Sequence, residues 1–276
     1  SAAMAQVQRG AGTYPTGAGF DDYCLWQITE SESRYADPLL KEMRDRQHIY
    51  EGRYGPDVFT DYITDFMDRH RDQPFLVYYP MALVHSPFVP TPDSPEWETD
   101  RNQQDPRFFA DMVAYTDKIV GRIRDKLEEI GQRENTVILF TGDNGTHPNI
   151  TSQLNGGTVQ GEKGRPTDGG THVPLMANWP GTIPEGSVCD DLIDFSDFFP
   201  TLLEIARTRV PSELTIDGRS FLPQLTGGQG NPRDWIYCYY NPQWGQWEAS
   251  EYVRDKRWKL YASGEFYDLR TDVQEE

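Results

Sequence analysis

The chain has 276 residues, 37% hydrophobic and 25% charged, with a formal net charge of −18 from 26 basic and 44 acidic residues. That composition is not that of a disordered chain, and no apolar run approaches the length of a membrane-spanning helix, so no membrane partner is expected. The acidic balance argues against sequence-independent nucleic-acid binding, although a few placed cations can still hold an anion locally.

Three cysteines, Cys24, Cys189 and Cys238, form neither a disulfide framework nor a zinc cluster and do not reveal the compartment. Residues 1–55 are polar and rich in Gly and Tyr, with a turn expected at Gly19-Phe20-Asp21 and little regular structure elsewhere. Val58, Phe59, Tyr62, Ile63, Phe66 and Met67 recur at helical spacing over 56–72, and Gln73-Pro74 ends that helix. Phe75–Tyr79 reads as a short buried strand, followed by a Pro-rich loop that contains His85. The clearest helix covers 106–130, with Phe109, Met112, Val113, Thr116, Ile119, Val120, Ile123, Leu127 and Ile130 on one stripe and Gly131 at its stop. Thr136–Phe140 is a second strand, a glycine-rich loop spans 155–170, Val173–Asn178 is a third strand, and 195–206 is another amphipathic helix.

This alternation predicts an α/β body with a mostly parallel sheet flanked by helices over residues 1–230. Short aromatic runs from Trp235 onward predict a small antiparallel β subdomain over 231–276. Tyr239, Tyr240, Trp244 and Trp247 are expected in its core rather than in a stacking surface.

Four positions carry the chemistry. Asp143 and Asn144 stand at the end of the apolar run Leu139-Phe140-Thr141, just before Gly145. Oxygen ligands at a strand's C-terminal end suit a hard cation, but two cannot fill a shell of six or more, and Asn-Gly is also an ordinary turn. Lys163 lies in Gly161-Glu162-Lys163-Gly164, which departs from a P-loop because no Ser or Thr follows the Lys. It reads either as a mobile charge for an anion or as a solvated loop lysine. His85 follows a strand, where general acids collect, or is a loop histidine satisfied by a backbone carbonyl. His147 and His172 are accessory candidates, the latter expected to hold its loop. No Gly-x-Ser-x-Gly, His-Glu-x-x-His or Gly-x-Gly-x-x-Gly is present, and no nucleophile is found.

In this order the segments resemble the sulfatase family, alkaline-phosphatase-like hydrolases of sulfate esters. The resemblance rests on His85 with Pro87, Gly142-Asp143-Asn144-Gly145, the Lys163 loop, Gly169-Gly170 and Val173-Pro174-Leu175. It continues through Trp179-Pro180-Gly181, Asp194–Thr201, Asp217-Gly218-Arg219-Ser220, Trp258-Lys259-Leu260-Tyr261 and Tyr267-Asp268-Leu269, covering roughly residues 56–276. It implies that Asp143 and Asn144 are two ligands of a divalent cation, calcium or else magnesium. It implies that Lys163 and His85 contact the sulfate and its leaving oxygen, that the substrate is a sulfated small molecule or sugar, and that the parent is periplasmic or secreted.

The chain also departs from the family. The Cys/Ser-x-Pro-x-Arg motif that yields formylglycine is absent, as are the paired aspartates that complete the metal shell, and His172 stands where an Arg is common. The expectation is an inactive C-terminal portion of a sulfatase that self-associates through uncovered apolar surface. Alternatives are a phosphate mono- or diester hydrolase of the same superfamily and a non-catalytic anion-binding scaffold.

Overall fold

In the computed structural model, which describes residues 15–26, 33–43, 46–154, 156–242 and 248–276, the chain divides into two units, Ser1–Arg133 and Glu134–Glu276. Among the described residues no helix is long and apolar enough to cross a membrane.

The first unit begins with a sheet where little regular structure was expected. Strands β1 (Cys24–Trp26), β2 (Leu39–Glu42) and β3 (Arg46–Ile49) pair antiparallel in that order, with Leu40 opposite both Trp26 and His48. The physical reason is Leu39-Leu40: this short apolar pair is buried and gives the central strand a core side. Helix α1 (Gly55–Arg69) starts with Pro56 in its first turn, where a missing N–H costs nothing. Helix α2 is the single turn Trp97–Asp100. Helix α3 (Phe108–Glu129) ends at Gly131, whose φ of 70° lets Gly131 N donate to Glu128 O and Gln132 N to Leu127 O.

Met112, Tyr115, Ile119 and Leu127 from α3 and Val58, Thr60 and Met67 from α1 are buried, whereas Val113 of the expected stripe is exposed. Tyr54 centres this core, its ring 5.9 Å from Tyr35, 5.4 Å from Trp97 and 5.1 Å from Tyr115. Arg122 bridges the helices, with Nη1 2.7 Å from Asp57 Oδ1 and a second contact to Asp61. Phe75–Tyr79 is not a strand. It has no ladder partner among the described residues, and Leu76 and Tyr78 are 61% and 69% exposed. A buried strand requires neighbours to take its backbone groups, and none is provided there.

In the second unit β4 (Ile138–Thr141) pairs antiparallel with β7 (Leu175–Asn178), Thr141 lying opposite Leu175. The α/β class holds, but every ladder among the described residues is antiparallel, not mostly parallel. A parallel pair needs a long crossover. The chain between β4 and β7 is long enough for one, but it makes the hairpin β5 (Thr151–Leu154) and β6 (Gly157–Gln160), of which β6 falls in the expected loop, and then the short helix α4 (Asp168–Thr171), and β7 returns antiparallel.

A 3₁₀ turn (Phe195–Asp197) leads into helix α5 (Phe198–Ile205), and Asp194 caps it by accepting from Ser196 N at 2.9 Å. Asp197, 1% exposed, is tied to Arg233 Nη2 at 2.6 Å, Arg219 N at 2.6 Å and Asp194 N at 2.8 Å. Helix α6 is the turn Leu222–Leu225. Strands β8 (Ile236–Tyr240), β9 (Ser250–Arg254), β10 (Trp258–Tyr261) and β11 (Phe266–Asp268) form the expected antiparallel sheet, in the order β11-β10-β9-β8. Tyr239 is 61% exposed and so is not core, while Trp244 and Trp247 lie outside the described residues.

Candidate functional site

His85 lies in the first unit; Asp143, Asn144, His147, Lys163 and His172 lie in the second. The His85 loop is anchored by Tyr35, 1% exposed, whose hydroxyl donates to Ala82 O at 2.8 Å and also contacts His85 O. His85 N closes the turn onto Ala82 O at 2.9 Å. The imidazole is exposed, and its Nδ1 lies 2.7 Å from Ser86 O, so Nδ1 carries a proton and the neutral ring has its acceptor on Nε2. The carbonyl-satisfied reading of this histidine is therefore realised. It also favours the Nδ1–H tautomer, which is the neutral form left when a charged ring gives up its Nε2 proton.

In the second unit three backbone segments are stitched together. Gly142 N donates to Pro174 O at 3.2 Å, Gly145 N to Gly170 O at 2.9 Å, and Lys163 N to Thr146 O at 2.9 Å. The close approach requires glycines. A Cβ at Gly145 would lie 2.1 Å from Gly169 O, one at Gly161 2.2 Å from His147 O, and one at Gly170 2.1 Å from Arg165 O. The turn after β4 and the Lys163 loop thus form one construction. Asp143 is exposed at its rim, and Asn144 and Lys163 are half-buried.

His147 Nδ1 accepts from Asn149 N at 3.1 Å, closing its own turn. His172, where an Arg is common in the family, has Nδ1 3.1 Å from Asp168 Oδ2, an ion pair when the ring is protonated. The hydrogen bond to Asp168 raises the His172 pKa, with burial opposing. Burial alone would raise the Asp168 carboxyl; the hydrogen bond and charge of His172, together with Arg254, outweigh it and hold the group below its ordinary value.

Asp143 and Asn144 offer the right donor type for a hard cation, but too few donors. Among the described residues no three His, Cys, Asp or Glu side chains come together in a way that could hold a metal ion. Nor is Cys24 an activated nucleophile: burial first, then Glu42 and Asp22, push its thiol up to about 12.

Sequence reasoning missed Tyr35, Asp168, Arg254, Lys259 and Glu275. Asp168 adjoins Gly169-Gly170, which was a usable signal. Lys259 gave no polarity signal, because β10 alternates with Trp258 and Leu260 outward and the lysine inward, the reverse of what their residue types suggest.

Comparison with known proteins gives the same family from several directions. The Sulfatase family model matches residues 6–208, and that of the N-sulphoglucosamine sulphohydrolase C-terminal region matches 167–276. The uncharacterized sulfatase YdeN of Escherichia coli is 34% identical over 232 residues, covering 82% of this chain and 40% of YdeN. Human arylsulfatase D is 28% identical over 210 residues, 74% of this chain and 33% of that protein. The chain thus spans less than half the length of these curated relatives.

Among solved structures, Ps i-CgsB superposes with a TM-score of 0.73 at 19% identity, over 94% of this chain and 62% of that one. BT4656 in complex with its substrate D-glucosamine-2-N,6-O-disulfate does so with 0.71 at 19% identity, over 93% and 71%. At that identity the likeness speaks to the fold, which is alkaline-phosphatase-like.

Proposed function

The chain belongs to the sulfatase family, and from that premise we propose that it carries part of a sulfate-ester hydrolase site. Asp143 and Asn144 contribute two oxygen ligands towards a divalent cation, Ca2+ or else Mg2+, and among the described residues no group of three His, Cys, Asp or Glu side chains completes the shell. Lys163 supplies positive charge to the sulfate oxygens. In the first unit, His85 when charged offers an Nε2 proton of the kind a leaving ester oxygen takes up as an S–O bond breaks. His147 and His172 act as loop fasteners. The observation that carries this reading is the backbone stitching of the Asp143–Asn144 turn to the Lys163 loop.

The substrate class is a sulfated sugar or another sulfated small molecule, supported by the disulfated glucosamine bound to BT4656. This chain alone is inactive, since no Cys or Ser in its 276 residues stands in a Cys/Ser-x-Pro-x-Arg motif. It also self-associates, because Leu76, Tyr78 and Met176 expose apolar surface.

The test is calorimetry with Ca2+ on the chain and on Asp143→Ala, with a parallel aryl-sulfate assay. The expected result is no turnover, and Ca2+ binding no tighter than about millimolar that disappears in the variant. Robust turnover, or Ca2+ binding indifferent to Asp143→Ala, would overturn the reading.

A further inference from the structure

The second unit contains a buried ionic cluster. The Lys259 side chain is 0% exposed and its partner Glu275 2%, with Nζ 2.8 Å from Glu275 Oε1. The ammonium also donates to Pro166 O and lies 4.1 Å from the Tyr252 ring centre and 4.9 Å from that of Tyr261. Glu275 Oε1 accepts from Asp168 N at 2.9 Å, and Arg254 from β9 grips the Asp168 carboxylate. Burying such a pair is costly, and apolar residues of the same volume are often as stable or more so. Its usefulness therefore has to be sought in what it orients.

Its targets beyond the sheet lie on one short stretch: Pro166 O, Asp168 N and the Asp168 carboxylate. From there the path to the site is brief. Thr167 Oγ1 donates to Glu162 Oε2 at 2.8 Å, beside Lys163, and Gly170 O accepts from Gly145 N at 2.9 Å, beside Asn144. We infer that Lys259, Glu275 and Arg254 are positioning residues, which clamp the 166–170 turn onto the four-stranded sheet and so hold the Lys163 loop and the Asp143–Asn144 turn in register. This assignment rests on the site reading above, but its physical content is separable from it.

The test is amide hydrogen exchange read by mass spectrometry on the chain, comparing wild type with Glu275→Gln, Arg254→Met and Lys259→Met. Glu275→Gln keeps shape and removes one charge, so it decides the matter if Lys259→Met fails to fold. The expected result is roughly ten- to hundred-fold faster exchange in peptides spanning 143–147 and 161–172, as charged hydrogen bonds are lost, with the ladder of β8, β9 and β10 unchanged. Arg254→Lys should recover part of the protection, because it keeps the charge. Unchanged loop exchange would overturn the inference. So would loop and ladder exchange rising together, which marks a merely structural pair. Exchange needs neither metal nor sulfate: a loosened loop in a protein that shows no Asp143-dependent Ca2+ binding would keep the clamp and sink the site.

Discussion

Replacing Gly145 with Ala tests whether the turn after β4 and the Lys163 loop form one construction. The backbone φ at Gly145 lies outside the left-handed range, so the issue is room and not torsion. The added Cβ would meet Gly169 O at 2.1 Å and Gly170 Cα at 2.8 Å, where ordinary contact begins near 3.4 Å. Both are backbone atoms and no flexible side chain can yield, so the two segments must part by more than an ångström. The 2.9 Å bond from Gly145 N to Gly170 O is then lost.

Overpacking of this kind costs about 1–3 kcal/mol and the hydrogen bond about 0.5–1.5 kcal/mol, for a loss of about 1.5–4.5 kcal/mol. Gly121→Ala is the matched control. It lies inside α3 with nothing within 4 Å of a new Cβ, and there alanine should stabilise by about 0.5–1 kcal/mol. Urea unfolding followed by tryptophan fluorescence gives both numbers. The same substitution should thus act with opposite signs at the two sites. A neutral or stabilising Gly145→Ala would refute the stitched-loop geometry.

Three further outcomes are expected. Asp197→Ala leaves Arg233, 12% exposed, and two backbone N–H groups without their acceptor; it should cost about 3–5 kcal/mol in the same unfolding assay, and a loss below about 1 kcal/mol would contradict the buried pair. His172 has a raised pKa, so its contribution is complete below the ordinary histidine value and fades as pH rises through the raised one. Its side chain is 68% exposed, so the effect is that of a surface pair, about 0.2–1 kcal/mol. Wild type should exceed His172→Gln in stability at pH 5.5 and match it at pH 8.5, and a constant gap would refute the linkage. Sedimentation of the chain should show dimers or larger species, whereas a clean monomer at working concentration would contradict self-association.

Much of the architecture was legible because it is local. The helices at Gly55–Arg69 and Phe108–Glu129 follow from periodic apolar spacing with Pro and Gly as punctuation, and the four-stranded sheet from short aromatic runs between turns. The order of the motifs was enough for the family.

Tertiary structure decided the rest. Strand direction was misread because alternation of elements says nothing about which partner a strand meets: β4 turns out to meet β7 antiparallel across a glycine loop. Phe75–Tyr79 has a strand's composition, but strand formation requires a neighbour. The reason Gly145, Gly161 and Gly170 are glycines is visible only once the carbonyls two ångströms from their missing Cβ atoms are in place. The Lys259–Glu275 pair joins residues whose types promise exposure, and only the packing of Tyr252 and Tyr261 around the ammonium makes it a buried clamp. Sequence patterns report the preferences of a residue near its own backbone, whereas a site assembled from distant loops depends on contacts that exist only after folding.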